Sequence, residues 1–123
     1  MRRGRILIAE DHPLNRELVV DFLEAMGYTV LQAADGRGLL ERVKAERPDL
    51  ILLDLQLPGV DGFALARQLT AEPATRGILL LAMSACARPE EEAQALAAGC
   101  VGFLAKPLDT RALVQTVSRL LGQ

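Results

Sequence analysis

The chain has 123 residues, of which 50% are hydrophobic, with 14 basic and 16 acidic side chains and a formal net charge of −2. This length fits one domain with an apolar core, and the balanced charge argues against a disordered chain and against a basic nucleic-acid-binding surface. Two cysteines outside any metal-binding spacing, and no apolar run near the ~20 residues of a membrane span, favour a reduced cytoplasmic protein that does not insert into membranes.

Five short apolar runs predict β-strands. They cover residues 6–9, 29–33, 50–53, 78–83 and 101–105. Their apolar character is continuous, which is typical of parallel strands that are covered by helices on both faces, whereas a half-exposed sheet would alternate apolar and polar residues.

Five amphipathic segments between and after these runs predict helices. The first two cover about residues 13–26 and 36–46, and the third begins near residue 61 or 62 and ends before Pro73. The fourth runs from Pro89 to Gly99, and the fifth begins at a cap formed by Asp109 or Thr110. We expect the third helix to be the shortest. The first helix carries a stripe of apolar side chains at four-residue steps, formed by Leu14, Leu18, Phe22 and Met26.

Strict alternation of strands and helices predicts a doubly wound α/β fold. Short connections between such units give a parallel sheet with right-handed crossovers and helices on both faces, in three layers. The expected strand order is 2-1-3-4-5. The sequence has no internal repeat or linker, so we expect one domain that covers residues 1–123.

Reactive side chains follow four of the five predicted strands. Glu10 and Asp11 follow the first strand, Asp54 the third, Ser84 the fourth and Lys106 the fifth. The carboxyl ends of parallel strands lie along one edge of the sheet, so these residues should share one pocket. Carboxylates repel a phosphate cofactor and attract Mg²⁺, and a lysine can bind phosphate as a point charge. The sequence therefore predicts a pocket of three acids, one hydroxyl and one amine.

Each residue of this pocket also has a simpler interpretation when it is taken alone. Asp11 can cap the first helix, Asp54 can begin a turn, Ser84 can be an ordinary loop residue and Lys106 a solvated surface residue. Their joint placement at the strand ends favours the pocket. His12, the single histidine, is interpreted as an exposed residue at the start of the first helix.

Four segments resemble response-regulator receiver domains, and the resemblance covers the whole chain and implies a flavodoxin-like sheet. They are IAED at residues 8–11, LLDLQLPGVDG at 52–62, MSA at 83–85 and KP at 106–107. The resemblance implies that Asp54 accepts a phosphoryl group from a histidine kinase or a histidine phosphotransfer protein. It also implies that Glu10, Asp11, Asp54 and the backbone carbonyl of Gln56 hold Mg²⁺, with no other cofactor.

The same resemblance implies how the signal is passed on. Ser84 and Lys106 would hold the phosphoryl oxygens, and the peptide bond before Pro107 would be cis. Phe103 stands where tyrosine is common in the family and would turn inward on phosphorylation. A downstream protein would then bind the face formed by the fourth helix, fifth strand and fifth helix. Such a domain catalyses its own phosphorylation and dephosphorylation and is otherwise not an enzyme.

Several alternatives stay open from the sequence. The chain resembles single-domain regulators of the chemotaxis or DivK type, but a receiver taken from a hybrid histidine kinase or a multidomain regulator is also compatible with it. A Mg²⁺-dependent aspartyl-phosphate hydrolase is disfavoured because Gln56 stands where such enzymes place a second aspartate. A flavin mononucleotide carrier is disfavoured by the acids after the first strand. An interaction module that is never phosphorylated is disfavoured because every reactive position is intact.

Overall fold

The computed structural model describes residues 4–123, so the first three residues of the expected domain lie outside the described part. Five strands alternate with five helices in the predicted order. The elements are β1 (Arg5–Ala9), α1 (Pro13–Ala25), β2 (Thr29–Ala33), α2 (Leu39–Glu46), β3 (Leu50–Asp54), α3 (Gly62–Ala71), β4 (Leu79–Ser84), α4 (Pro89–Ala97), β5 (Gly102–Ala105) and α5 (Thr110–Leu120). Among the described residues, no helix is both long and apolar enough to cross a membrane.

The five strands form one parallel sheet in the order β2-β1-β3-β4-β5, which confirms the predicted fold. The register aligns the carboxyl ends of the central strands. Ala9 lies opposite Leu53, Asp54 opposite Met83, and Ser84 opposite Ala105. Residues that directly follow β1 and β5 therefore lie at the same level as the last residues of β3 and β4.

Side chains from the two faces of the sheet enter two separate cores. Leu7, Ile51 and Leu53 pack under α2, α3 and α4, whereas Ile6 and Leu52 pack under α1 and α5. Alternate side chains of a strand point to opposite faces, so a strand that is covered on both sides must be apolar throughout. The central strand β3 is buried at every position, as the continuous apolar runs predicted.

The apolar stripe of α1 lies on the solvent side of the helix. Leu14 is 71% exposed and Phe22 is 39% exposed, and Leu18 and Met26 are also exposed. The side of α1 that enters the core carries Val19, Val20 and Leu23. Both sides of this helix are apolar, and a period of four residues does not tell which of them is buried.

The structure moves the start of α2 from about residue 36, as predicted, to Leu39. α2 begins at Leu39 because Gly38 adopts a left-handed conformation, with φ of 65°, which a continuing helix does not allow. α2 therefore has 8 residues and α3 has 10, so the expectation that the third helix is the shortest was wrong.

Candidate functional site

Asp54 is the last residue of β3, and its carboxylate is almost fully buried, with 2% of the residue exposed. Its Oδ1 atom accepts a hydrogen bond of 2.9 Å from the backbone N–H of Gln56. Its Oδ2 atom accepts a hydrogen bond of 2.8 Å from Nζ of Lys106. A buried carboxylate needs such partners, because without them its desolvation would favour the protonated acid.

Glu10, which directly follows β1, is a second buried carboxylate, with 1% exposed. Its Oε1 atom lies 2.5 Å from Nζ of Lys106, and its Oε2 atom accepts a 3.2 Å hydrogen bond from the backbone N–H of His12. Burial raises the pKa of the Glu10 carboxyl above its usual value. The hydrogen bond from Lys106 opposes this rise, and the neighbouring Asp54 adds to it.

Lys106 follows β5 and joins the two buried acids through one ammonium group. Burial by itself lowers the pKa of this amine, but the hydrogen bonds and negative charges of Asp54 and Glu10 outweigh that effect, so the pKa is raised. Lys106 is therefore a cation at neutral pH. Its peptide bond to Pro107 is cis.

Asp11 completes the acidic group from an exposed position at the rim. One carboxylate oxygen from each of Glu10, Asp11 and Asp54 lies within 4.8 Å of the others. Three carboxylates face a single ammonium, so the group has an excess of negative charge and offers the oxygen ligands that a hard divalent cation prefers. The donor set fits Mg²⁺, the ion that the sequence predicted here.

Ser84 ends β4 and is completely buried, and its hydroxyl is hydrogen-bonded to groups other than Asp54. It donates a 3.2 Å hydrogen bond to Oε1 of Glu91 in the first turn of α4 and accepts a 3.0 Å hydrogen bond from the backbone N–H of Cys86. The structure therefore places Ser84 at the predicted edge of the sheet, with its hydroxyl engaged by Glu91 and Cys86.

The side chain of Gln56 contacts the loop that follows β4. Its Oε1 atom accepts a 3.2 Å hydrogen bond from the backbone N–H of Ala85. Gln56 is thus linked to Asp54 through its own N–H and to the loop after β4 through its side chain. The loop that carries Gln56 passes close to α3, where a Cβ atom on Gly62 would lie 2.5 Å from the backbone of Leu55. A glycine is required at that approach.

Two residues that contact the site were missed by the sequence analysis. The sequence analysis assigns no contact to Glu91 in the first turn of α4, and no local pattern indicates its hydrogen bond with Ser84, seven residues earlier. Arg16 donates a 2.8 Å hydrogen bond to the backbone carbonyl of Glu10 and contacts the side chain of Gln32 on β2. It therefore supports the loop that presents the first two acids.

A cavity of about 500 Å³ opens above the acids. The residues that line it include the charged Glu10, Asp54 and Lys106 and the apolar Leu18 of α1 and Leu108. The lining is therefore partly charged and partly apolar, and its apolar part continues onto α1.

Phe103, the predicted switch residue, lies on β5 opposite Ala82 of β4. It is half-buried and packs against the core under α2, α3 and α4. Of the predicted residues, the structure brings Glu10, Asp11, Asp54 and Lys106 into one cluster with Gln56 beside it. Ser84 and Phe103 lie on neighbouring strands at its edge.

Known proteins are similar to this chain over nearly its whole length. Residues 6–118 match the model of the response regulator receiver domain. The polar-differentiation response regulator DivK of Brucella anthropi is 33% identical over 117 residues, which are 95% of each chain. A gliding motility regulatory protein of Myxococcus xanthus is 37% identical over 97% of this chain, which spans only 15% of that longer protein.

A solved structure of a receiver domain is also similar to this chain over nearly its whole length. The receiver domain of a sensor histidine kinase from Pseudomonas aeruginosa, determined with a magnesium ion in its active site cleft, is 32% identical. It aligns over 98% of both chains with a TM-score of 0.88. The fold, the acidic cleft and the matched residues lead to one conclusion: this chain belongs to the response regulator receiver domain family of two-component signalling.

Proposed function

We propose that the chain is a phosphorylation-dependent switch in which Asp54 receives a phosphoryl group from a phosphohistidine on a histidine kinase or phosphotransfer protein. The observation that carries this proposal is the contact of Asp54 with Lys106 at the floor of an open cavity, beside two further acids. An Asp54 oxygen would attack phosphorus as the bond from phosphorus to the histidine nitrogen breaks, and the leaving imidazole would keep the electron pair. The product is an acyl phosphate.

The chain's own residues would supply much of the charge neutralisation that phosphoryl transfer needs. Lys106 already donates to Asp54 and would donate to an incoming phosphoryl oxygen with a small movement of a flexible side chain. Glu10, Asp11, Asp54 and the backbone carbonyl of Gln56 would hold Mg²⁺, which when bound neutralises negative charge on the transferred group. Phosphorylation and dephosphorylation of its own Asp54 would be the extent of its catalysis, because the Gln56 amide cannot act as a general base.

The exposed stripe of α1 supports a docking site for the phosphodonor protein. Leu18 belongs both to this stripe and to the wall of the cavity, so apolar surface continues from the cavity onto the helix. A protein that delivers a phosphohistidine to Asp54 must cover the rim of that cavity. An apolar helix face on the donor would bury Leu14, Leu18 and Phe22 as it does so.

The signal would be passed on through a surface other than the α1 surface that docks the phosphodonor. We place the downstream partner on the face formed by α4, β5 and α5, where Leu96 and Val101 are exposed apolar residues. We treat residues 1–123 as one receiver domain. Similarity to DivK over 95% of both chains and to a short segment of the Myxococcus protein is compatible with a separate regulator and with one part of a longer protein.

Intact mass measurement tests the proposed function. The chain is incubated with acetyl phosphate, with and without Mg²⁺. We expect a gain of one phosphoryl group that requires Mg²⁺ and that a chelator prevents. A chain that gains no phosphoryl group under these conditions, or gains it equally without the metal, would contradict the proposal.

A further inference from the structure

Glu91 stands apart from its acidic neighbours in the first turn of α4. Glu90 and Glu92 are exposed, whereas Glu91 is half-buried and its Oε1 atom accepts the 3.2 Å hydrogen bond from the hydroxyl of Ser84. Three successive acids suit the positive end of a helix dipole, which accounts for their charge but not for this contact. The contact joins α4 directly to the end of β4.

The hydroxyl of Ser84 has a single proton to donate. In this structure it donates that proton to Glu91, and an ionised carboxylate is a strong acceptor. A phosphoryl oxygen on Asp54 would be a second strong acceptor near Ser84, because Asp54 and Ser84 end neighbouring strands. The hydroxyl cannot serve both, so the two acceptors compete for it.

Two further hydrogen bonds hold the loop after β4 next to Ser84 and Gln56. The N–H of Cys86 donates to the Ser84 oxygen, and the N–H of Ala85 donates to the side chain of Gln56. The Glu91 carboxylate also lies near the Cys86 thiol and raises the pKa of that thiol, whereas the nearby Arg88 opposes the rise. Glu91 thus lies beside the last residue of β4 and beside the loop that follows it.

The two ends of α4 are fastened differently. At its C-terminal end, the hydroxyl of Thr70 lies 2.9 Å from the carbonyl oxygen of Ala98 and equally close to that of Ala66, and it can donate its proton to either. Gly99, with φ of 103°, packs so closely on Thr70 that a Cβ atom would lie 2.5 Å from it. At its N-terminal end the side chain of Arg88 does not cap the helix, and the buried residue of the helix is Ala95. Release of Glu91 would therefore free the N-terminal end first.

We propose that Glu91 is a positioning residue that holds the Ser84 hydroxyl away from Asp54 in the unphosphorylated protein and ties the first turn of α4 to β4. This inference rests on the proposed function, because it needs a phosphoryl group on Asp54 as the competing acceptor. Phosphorylation then breaks the contact between Ser84 and Glu91, and α4 pivots about its anchored C-terminal end. The resting and phosphorylated arrangements are two populations, and Glu91 favours the resting one.

The first test measures the affinity of the chain for beryllofluoride, a phosphoryl mimic, by calorimetry in excess Mg²⁺. Loss of one net hydrogen bond in the resting state should make Glu91→Ala bind about two- to tenfold more tightly than the wild type. Glu91→Gln keeps an acceptor oxygen and should stay near the wild type. Glu90→Ala removes the same charge from an exposed position and should also stay near the wild type. If Glu91→Gln binds as tightly as Glu91→Ala, the effect is one of charge and the proposal is wrong.

The second test needs no phosphoryl group. The rate of alkylation of Cys86 by iodoacetamide is measured by peptide mass spectrometry at fixed pH. Glu91→Ala should raise this rate severalfold, because the thiol loses the carboxylate that raises its pKa, and Glu90→Ala should not. An equal rate in the wild type and Glu91→Ala would show that Glu91 does not contact the loop and would overturn the proposal. If the wild type binds no beryllofluoride, the proposed function fails, and with it the competition at Ser84, whatever the alkylation rates show.

Discussion

Nζ of Lys106 lies 2.8 Å from Oδ2 of Asp54, although 52 residues separate them in the chain. The same nitrogen lies 2.5 Å from Oε1 of Glu10. One ammonium therefore holds two buried acids together, and in the proposed function the same ammonium would meet the phosphoryl oxygens. We therefore expect both the stability of the unphosphorylated protein and its reactivity to depend on Lys106.

Replacement of Lys106 by methionine should destabilise the Mg²⁺-free protein, because two buried carboxylates lose their shared cation. Removal of one member of a buried ion pair costs about 3 kcal/mol. Urea denaturation at neutral pH measures the change in the free energy of unfolding. Lys44→Met is the matched control, since Lys44 pairs with Glu72 at 3.9 Å on the surface and should contribute little. Equal losses in the two variants would contradict the role of Lys106.

Asp54→Asn should abolish labelling by acetyl phosphate and leave the fold intact. The substitution removes one of the clustered negative charges and leaves the contact between Glu10 and Lys106 in place, so we expect no fall in the melting temperature. Intact mass and thermal melts measure both effects. Asp21→Asn, an exposed acid on α1, should label like the wild type. Acid-labile label that persists at full stoichiometry in Asp54→Asn would place the acceptor elsewhere.

Mg²⁺ should raise the melting temperature of the wild type, because the ion binds the clustered acids of the folded chain better than the dispersed acids of the unfolded chain. At one hundred times the dissociation constant the gain is about 2.7 kcal/mol. Asp11→Asn should remove most of this gain, and Asp21→Asn should preserve it. A wild-type protein whose melting temperature does not respond to millimolar Mg²⁺ would argue against the metal site.

The double substitution Leu18→Ala and Phe22→Ala should slow phosphotransfer from a histidine kinase that labels the wild type, by about tenfold or more. Labelling by acetyl phosphate, which needs no docking surface, should change much less. Leu18 is 48% and Phe22 39% exposed, so the double substitution should destabilise the fold less than truncation of two fully buried side chains. Leu96→Ala is the control, because Leu96 is comparably exposed but belongs to α4. Equal slowing with both donors would indicate damage to the site rather than lost docking.

Stability should fall as pH rises from about 9 to about 11. Burial raises the pKa of the Cys100 thiol from 9.0 to about 11. In this range the unfolded chain loses the thiol proton and the folded chain keeps it, so the folded state binds more protons and a rise in pH favours unfolding. Urea denaturation at several pH values should show a shallower fall in Cys100→Ala. An identical pH dependence in both proteins would contradict this assignment.

The order of the elements, the sheet topology and the acids of the cleft all follow from the amino-acid sequence alone. Continuous apolar runs specify strands that are buried on both faces, and alternation with helices leaves few possible connections. Residues at the ends of such strands must lie at one edge, so the sequence alone places Glu10, Asp54 and Lys106 together. These conclusions depend on local pattern and on topology.

The tertiary structure decided which side of α1 is buried and what the Ser84 hydroxyl contacts. α1 is apolar on two faces. The spacing of apolar residues shows which side chains lie on the same face of the helix, but it does not show which face packs on the sheet. Only the packing of Val19, Val20 and Leu23 against the strands leaves Leu14, Leu18 and Phe22 exposed. The contact between Ser84 and Glu91 likewise depends on where α4 lies relative to β4, and the intervening loop residues leave that position open.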